Sequence, residues 1–429
     1  MGNADKVISI REYESLTRDV DLGDSRYHRM PSHSFDMLET FLLENQSTDA
    51  SAADFLSLSI RQGVKVISAT NYVGLIVLKD GYSIEIMPKL AGADDTETRR
   101  IFREMLCTMR DLPFRSFQKA HLSSDRLPLF EVFMAAFLEE VGILIKRGLK
   151  HGYVEHSGNE RFLKGHLDFR QQILQNQVRK ERFFVTFDEF EINRPENRLI
   201  KSALQFVLKK SSDAKNLREC RRYLQVLDEV EPSKNPAGDL SHCAADRTMR
   251  EYDMVLQWCR ILLTNQSITM FKGKEVAIAL LYPMEQLFEQ YVAAKLRNRL
   301  QSPYQLYAQD RGCYLFESPA KQFALRPDIV IRSGEGKTPL VMDTKWKVLS
   351  PDKTNYGISQ TDMYQMYAYF KKYHPEKVVM IYPYDPGVGA VDNILEFTAD
   401  DGDDVKVKVV FFDLLHVDKS AESILSDAF

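Results

Sequence analysis

Apolar and polar residues alternate along two neighbouring runs near the N-terminus, GVKVISA and YVGLIVLKDGYSIEIMPKL. A period of two is typical of β-strands with one buried face, and the Asp80-Gly81 pair inside the second run is a hairpin signal. Residues 1–95 are therefore predicted to form a β-rich domain. The polar, acidic stretch AGADDTET at 91–98 has no periodicity and marks the boundary of this domain.

The pattern then changes, because apolar residues recur three and four positions apart. This spacing predicts helices in RIFREMLCTMRDL, LPLFEVFMAAFLEEVGILIKRGL, PENRLIKSALQFVLKK and REYDMVLQWCRILLTNQ. The segments between them, GYVEHSGNERFLKGHLDFRQQI and RFFVTFDEFEIN, predict strands and loops. Residues 96–270 are thus expected to form a mainly helical middle domain with a strand and loop insert.

Helical and strand patterns alternate in the last third of the chain. The helix MEQLFEQYVAAKLRNRL is followed by strands at 328–332 and 339–345, the helix TDMYQMYAYFKKY and the strand KVVMIYP. Residues 271–429 are predicted to form an α/β domain with a mixed central sheet. The whole chain is assigned to the α+β multidomain class.

Composition restricts the function without defining it. The 429 residues are 44% hydrophobic, and the formal net charge is -4, which argues against a protein that binds nucleic acid over its whole surface. Residues 146–182 are locally basic, with nine Lys or Arg against four Asp or Glu. This segment forms either a solvated face or a contact with DNA, an acidic partner or a docking protein.

The cysteines and the apolar segments predict a cytoplasmic protein. Five scattered cysteines without CxxC or zinc-ligand spacing fit a reducing compartment. The N-terminus carries charges where a signal peptide requires an apolar core. The most apolar helix is interrupted by Glu139 and Glu140, so no membrane span is expected.

Gly336-Lys337-Thr338 is similar to the end of a phosphate-binding loop, but its surroundings do not fit. Such a loop requires glycine five positions before Gly336, where this chain has Ile331, and it leads from a strand into a helix. Here Pro339 leads into another strand. The segment is therefore predicted to be the glycine-bearing turn of a β-hairpin.

This hairpin brings Asp328 and Asp343 to the same end, and Lys345 projects from the same strand face as Asp343 because the two are two residues apart. Carboxylate oxygens bind Mg²⁺, which lowers the pKa of a bound water, and an amine orients that water or stabilises the transition state of phosphodiester hydrolysis. The alternative is structural: Asp328 begins a strand after Pro327, and Asp343 and Lys345 form an exposed charge pair.

The flanking helices provide further candidate residues. Glu285 and Glu289 lie one turn apart on the helix before the hairpin, and Gln365 and Tyr369 have the same spacing on the helix after it. Glutamate would add a metal ligand, whereas the Gln and Tyr pair could also be two residues of a helix that packs on a core.

This order of elements, a helix with Glu, Pro-Asp on one strand, DxK on the next and a helix with QxxxY, resembles the PD-(D/E)xK nuclease superfamily. Further segments resemble the McrC family over roughly residues 97–385, namely GHLDFRQQI, FVTFDEFEINRPENRLIKSAL, LYPMEQLFEQYV, RPDIVIR, VMDTKWK, MYQMYAYF and MIYPYDP. The resemblance implies that Asp328 and Asp343 bind Mg²⁺, with Glu289 as a further ligand, that Lys345 is the catalytic lysine, and that Gln365 and Tyr369 flank the site.

The resemblance also implies a DNA endonuclease subunit that works with a partner. That partner would be an McrB-like AAA+ ring that binds and hydrolyses GTP, and the substrate would be double-stranded DNA with modified cytosine. Two alternatives stay open. One is an independent RecB-like repair nuclease, and the other is a non-catalytic subunit that only activates the GTPase.

Overall fold

The computed structural model describes residues 6–46, 55–109, 127–243, 251–264, 276–388, 395–399 and 405–426. The chain forms two compact units. One contains Leu127–Lys272, and the other combines Ala4–Arg126 with Gly273–Phe429. The predicted middle domain, 96–270, therefore differs from the compact unit at its N-terminal boundary.

The first part of the discontinuous unit contains two groups of strands. One sheet has the order β3-β2-β5-β4, and another contains β1-β7-β6. Helix α2 begins with a capping box formed by Asp94 and Glu97. The elements are β1 (Val7–Arg11), β2 (Ser15–Arg18), β3 (Tyr27–Met30), α1 (Ser32–Gln46), β4 (Leu56–Arg61), β5 (Val64–Ala69), β6 (Tyr72–Leu78), β7 (Ser83–Met87) and α2 (Asp95–Thr108).

The hairpin predicted at Asp80-Gly81 is present between β6 and β7. Gly81 has a φ of +85°, which favours glycine, and its amide donates to the carbonyl oxygen of Leu78. The Asp80 carboxylate accepts a hydrogen bond of 2.8 Å from the amide of Tyr82. The turn residues therefore fix the register of the two strands.

The unit that contains Leu127–Lys272 is mainly helical and carries an antiparallel sheet of order β8-β10-β9. None of the helices described is long and apolar enough to cross a membrane. A helix forms at 169–176, where strand and loop were expected, because Asp168 caps its N-terminus. The elements are α3 (Leu129–Arg147), β8 (Gly152–Glu160), β9 (His166–Leu167), α4 (Phe169–Asn176), β10 (Phe183–Glu191), α5 (Pro195–Lys210), α6 (Ala214–Val226), α7 (Pro236–Cys243) and α8 (Asp253–Leu263).

The C-terminal part of the discontinuous unit contains a mixed sheet of order β12-β15-β16-β17-β19-β18. Strands β16, β17 and β19 are parallel, and the other pairs are antiparallel. The elements are β11 (Val276–Pro283), α9 (Met284–Arg299), β12 (Gln305–Ala308), β13 (Tyr314–Phe316), β14 (Gln322–Ala324), β15 (Ile329–Arg332), β16 (Leu340–Thr344), α10 (Gln360–Tyr373), β17 (Lys377–Pro383), β18 (Leu395–Ala399), β19 (Val405–Phe412) and α11 (Val417–Ser426).

Strand β11 lies within the predicted C-terminal domain, 271–429, but it pairs with β6 of the N-terminal sheet. Gly74 permits this contact, because a Cβ atom there would lie 1.9 Å from the carbonyl oxygen of Leu280. Helix α2, predicted to belong to the middle domain, packs on α9 of the discontinuous unit. Pairing between distant segments thus joins the N-terminal and C-terminal parts in one unit.

The predicted hairpin around Gly336 consists of β15 and β16. Gly336 has a φ of +78°, and the Ser333 amide donates to the carbonyl oxygen of Lys337. Both strands are buried, and helix α10 packs on the sheet through Met366 and Tyr369. The hairpin therefore lies inside a core that holds its ends in place.

Candidate active site

Asp328 and Asp343 lie at the same end of the β15–β16 hairpin. Ile329 is paired with Met342, so Asp328, which precedes β15, lies opposite Asp343 of β16. Asp343 is buried, and Lys345 continues the strand direction with its amide donating to the carbonyl oxygen of Ile381. The strand ends therefore bring two carboxylates and an amine together.

Asp328 is held by the neighbouring strand. Its Oδ2 atom accepts a hydrogen bond of 2.7 Å from the amide of Thr344 and one of 2.8 Å from the hydroxyl of the same residue. Both donors converge on one oxygen, so the carboxylate has a fixed orientation and Oδ1 is left for other ligands. A charge-assisted pair of this kind is stronger than two neutral hydrogen bonds.

Lys345 connects the strand to helix α10. Its amine lies 2.7 Å from Oδ2 of Asp343 and 3.6 Å from Oδ1 of Asp362. It also donates a hydrogen bond of 3.1 Å to the side-chain oxygen of Gln365. The amide nitrogen of Gln365 in turn donates to the hydroxyl of Tyr369 over 2.6 Å. The structure thus brings Gln365 and Tyr369 to the same site as Lys345.

Of the two helix carboxylates, Glu289 faces the site and Glu285 does not. Glu289 accepts a hydrogen bond of 2.7 Å from the side chain of Gln309, and the Gln309 amide donates to the carbonyl oxygen of Asp328. The exposed Glu285 accepts instead from Asn71. Helix α9 therefore adds one carboxylate to the Asp328 side of the site.

The electrostatics reflect acidic groups buried close to one another. Burial raises the pKa of Asp328, and the negative charge of Glu289 raises it further. Burial also raises the pKa of Asp343, with a second contribution from Asp328. For Lys345, burial lowers the pKa, but the charges of Asp343 and Asp362 outweigh this, and the pKa lies above its ordinary value. The site thus carries more negative charge than its lysine balances.

A divalent cation fits this donor set. Oδ2 of Asp343 lies near Lys345, but the approach does not meet hydrogen-bond geometry, and none of the described residues donates a hydrogen bond to this buried oxygen. Buried polar atoms of native proteins normally have partners, and a bound ion can be the partner where no protein group is. Carboxylate oxygens from Asp328, Asp343 and Glu289 are the hard ligands that Mg²⁺ prefers.

Three contacts of the site were missed by the sequence analysis. Thr344 donates to Asp328, Asp362 lies near Lys345, and Gln309 holds Glu289. Asp362 could have been found, because it lies three residues before Gln365 on the same face of a predicted helix. Gln309 follows a short strand with no chemical signal, so nothing in its surroundings marks it.

The family comparison agrees with the motifs. The family model of the McrBC 5-methylcytosine restriction system component matches residues 67–383. The chain therefore belongs to the McrBC 5-methylcytosine restriction system component family. This result confirms the resemblance to McrC that the motif order indicates. A search of curated proteins gave no match.

Two solved structures are similar in fold. A chain of the refined half-complex from a tetradecameric assembly of Thermococcus gammatolerans McrB AAA+ hexamers with bound McrC has 19% identity and a TM-score of 0.69, and the match covers 99% of this chain and 100% of that one. A chain of the cryo-EM structure of the Thermococcus gammatolerans McrBC complex has 18% identity and a TM-score of 0.47, with 69% and 88% covered. The first match supports the same fold over the whole chain.

Proposed function

We propose that this chain is the DNA endonuclease subunit of an McrBC-like, GTP-dependent restriction system. Its site is assigned to the PD-(D/E)xK type, with Asp328, Asp343 and Glu289 as Mg²⁺ ligands. The observation that carries the assignment is the convergence of the buried Asp343, the partly buried Asp328 and Lys345 at adjacent strand ends. Membership in the McrBC family supports DNA with modified cytosine as the substrate.

The residues have distinct roles in this proposal. Mg²⁺ bound at the carboxylates would neutralise charge on the scissile phosphate and lower the pKa of a bound water. Thr344 fixes the orientation of Asp328. Gln365 and Asp343 hold the Lys345 amine at the site, where its positive charge stabilises the transition state. Tyr369 positions Gln365 through their hydrogen bond.

The proposed partner is an McrB-like AAA+ GTPase that binds the nucleotide. The sequence of this chain predicts no phosphate-binding loop. The fold neighbour comes from an assembly of McrB AAA+ hexamers with bound McrC, and this supports a comparable assembly here. GTP is assigned to the partner, and the nuclease is expected to be active only in the complex.

The test is cleavage of methylated and unmethylated plasmid with Mg²⁺, with and without the AAA+ partner and GTP. Wild type is compared with Asp343→Ala and with Asp352→Ala, which removes an exposed aspartate. We expect cleavage only of methylated DNA, only with partner and GTP, and only when Asp343 is present. Cleavage by the isolated chain would favour an independent nuclease. Stimulated GTP hydrolysis without cleavage would favour a non-catalytic activator.

We assign partner docking to the surface of residues 162–178, which lie between β8 and β10 within the locally basic segment. Large apolar side chains lie exposed on this surface, and soluble proteins rarely group such residues without an interaction. The exposed residues are Phe162, Leu163, Phe169, Ile173, Leu174 and Val178.

A charge placed on this surface tests the docking assignment. Ile173→Asp and Leu174→Asp should weaken partner binding and the stimulation of GTP hydrolysis, because a carboxylate would be buried in the interface. Gln175→Asp adds the same charge at the neighbouring exposed position and controls for general charge effects. Binding that is unchanged in all three variants, measured by size-exclusion chromatography and GTPase assay, would refute the assignment.

A further inference from the structure

A cavity of about 420 Å³ lies beside the candidate active site. Its lining includes Arg11–Tyr13, Lys89–Ala91 and Trp346–Val348, all of which belong to the discontinuous unit. The volume falls within the range of about 300–1,000 Å³ that is typical of ligand sites. The N-terminal segments have no role in the proposed hydrolysis. They form this pocket together with the residues that follow strand β16.

The pocket begins one residue after the candidate catalytic lysine. Trp346 and Lys347 line it and follow Lys345 directly, so the Cα atoms of Lys345 and Lys347 lie within about 7 Å of each other. Pro383, which ends the strand paired with β16, is also part of the lining. A DNA strand with one phosphate at the active site would therefore have its neighbouring nucleotides at the mouth of the pocket.

The lining suits an aromatic base attached to a phosphate chain. Lys89 and Lys347 are exposed and add positive charge to a lining that also contains two aspartates. Trp346 and Tyr384 supply aromatic rings, and the buried Leu90 belongs to the apolar lining. Stacking of bases on aromatic rings combined with a basic path for the backbone is how proteins hold unpaired DNA, and each stacked base contributes about 1–3 kcal/mol.

Two lining residues have conformations or surroundings that cost stability: Tyr13 has a strained backbone, and Glu12 has a buried carboxylate. Tyr13 has a φ of +65° and is 61% exposed, although bulky residues rarely adopt this conformation and such strain concentrates at functional sites. Glu12 is 1% exposed; it accepts hydrogen bonds of 2.9 Å from the Lys89 amide and 3.1 Å from the Trp346 indole. The buried carboxylate thus fixes the Trp346 ring in the pocket wall.

We propose that this cavity binds one unstacked base of the DNA strand that passes the active site, with Trp346 and Tyr13 as its stacking partners. The proposal rests on the proposed function, because DNA hydrolysis is what brings a strand to Lys345. Its effect would be to hold the strand in place next to the scissile phosphate.

The fluorescence of Trp346 can report whether a base enters the pocket. The chain contains two tryptophans, and the other one, Trp258, is fully buried in the unit that contains Leu127–Lys272. The full-length chain with Asp343→Asn, which should prevent cleavage, is titrated with a single-stranded 12-mer and with an abasic 12-mer of the same length. Fluorescence anisotropy of labelled DNA measures binding in parallel. The emission of Trp346 is obtained by subtracting the emission of the same protein with Trp346→Phe.

We expect the normal 12-mer to quench the Trp346 emission at least twofold more than the abasic 12-mer at equal occupancy. Tyr13→Ala should reduce this quenching, whereas Tyr153→Ala, which removes an exposed tyrosine of the other unit, should not.

Binding with equal quenching by normal and abasic DNA would overturn the base pocket and leave the proposed nuclease intact. Equal quenching by free deoxycytidine monophosphate at the same nucleotide concentration would assign the cavity to a free nucleotide and overturn the strand-bound base. Absence of DNA binding by the Asp343→Asn protein together with absence of cleavage by wild type, both with the partner and GTP present, would overturn the proposed function and the pocket with it.

Discussion

The buried carboxylate of Glu12 makes the stability of the discontinuous unit depend on pH. Burial raises the pKa of Glu12 from its ordinary value of 4.5 to about 7, against the opposing effect of hydrogen bonds from Lys89 and Trp346. In the unfolded chain the carboxyl group has its ordinary pKa. Between about pH 4.5 and 7 the folded protein therefore binds more protons than the unfolded one, and stability decreases as the pH rises.

The size of this effect follows from the shift. A pKa change of one unit corresponds to about 1.36 kcal/mol, so ionised Glu12 lowers the free energy of unfolding by about 3 kcal/mol above pH 7. Glu12→Gln removes the titration but leaves an amide group opposite one of the two donors, which adds a cost of about 1–3 kcal/mol that does not depend on pH. The melting temperature of Glu12→Gln relative to wild type should therefore rise by roughly 6 °C from pH 5 to pH 8.

Thermal unfolding at half-unit intervals from pH 5 to 8.5 tests this reasoning. The difference between wild type and variant isolates Glu12 from other groups that titrate in the same range. Glu335→Gln, in which an exposed carboxylate is replaced, is the matched control and should show no such change. A difference between Glu12→Gln and wild type that stays constant within 1 °C over this range would refute the assignment of a raised pKa to Glu12.

Three further predictions follow from the site and the fold. Asp343→Asn should abolish cleavage and raise the melting temperature of the Mg²⁺-free protein, because burial and Asp328 disfavour the charge of the Asp343 carboxylate. Mg²⁺ should then stabilise wild type only. A lower melting temperature of the Mg²⁺-free variant would contradict this prediction. Gly74→Ala should unfold at a clearly lower temperature than Gly336→Ala, since only the first new methyl group meets a backbone atom; equal melting temperatures would argue against the close strand contact. Gln365→Ala should slow single-turnover cleavage about tenfold, because Lys345 and Tyr369 each lose a hydrogen bond worth roughly 1 kcal/mol; an unchanged rate would exclude a positioning role.

Local signals predicted the part of the fold that surrounds the site. The turn at Gly336 and the apolar strands on both sides placed Asp328 and Asp343 at one end of a hairpin, and the structure brings them to adjacent strand ends. The spacing of Gln365 and Tyr369 put them on one helix face, and they form a hydrogen bond there. These features depend on neighbours in sequence, which is why a single sequence contains them.

Features that depend on distant segments could not be predicted. Strand β11 reads as the first strand of a C-terminal domain, but its partner is β6, and nothing in either sequence identifies the other. The hydrogen bond between Glu12 and Trp346 joins positions 334 residues apart. The two hydrogen bonds that Thr344 donates to Asp328, from its backbone amide and from its hydroxyl, depend on the close approach of two strands that are separate in the sequence.

The pairing of β6 with β11 also determines the order in which the chain can fold during synthesis. Strand β6 is complete about 200 residues before β11 leaves the ribosome, an interval of roughly 10–40 s at 5–20 residues per second. Throughout this time the edge of β6 has unpaired backbone groups that can bind other strands. The helical unit, which is encoded between the two strands, can fold in the meantime. The discontinuous unit, which holds the proposed active site, can therefore form only after both of its parts have been synthesised.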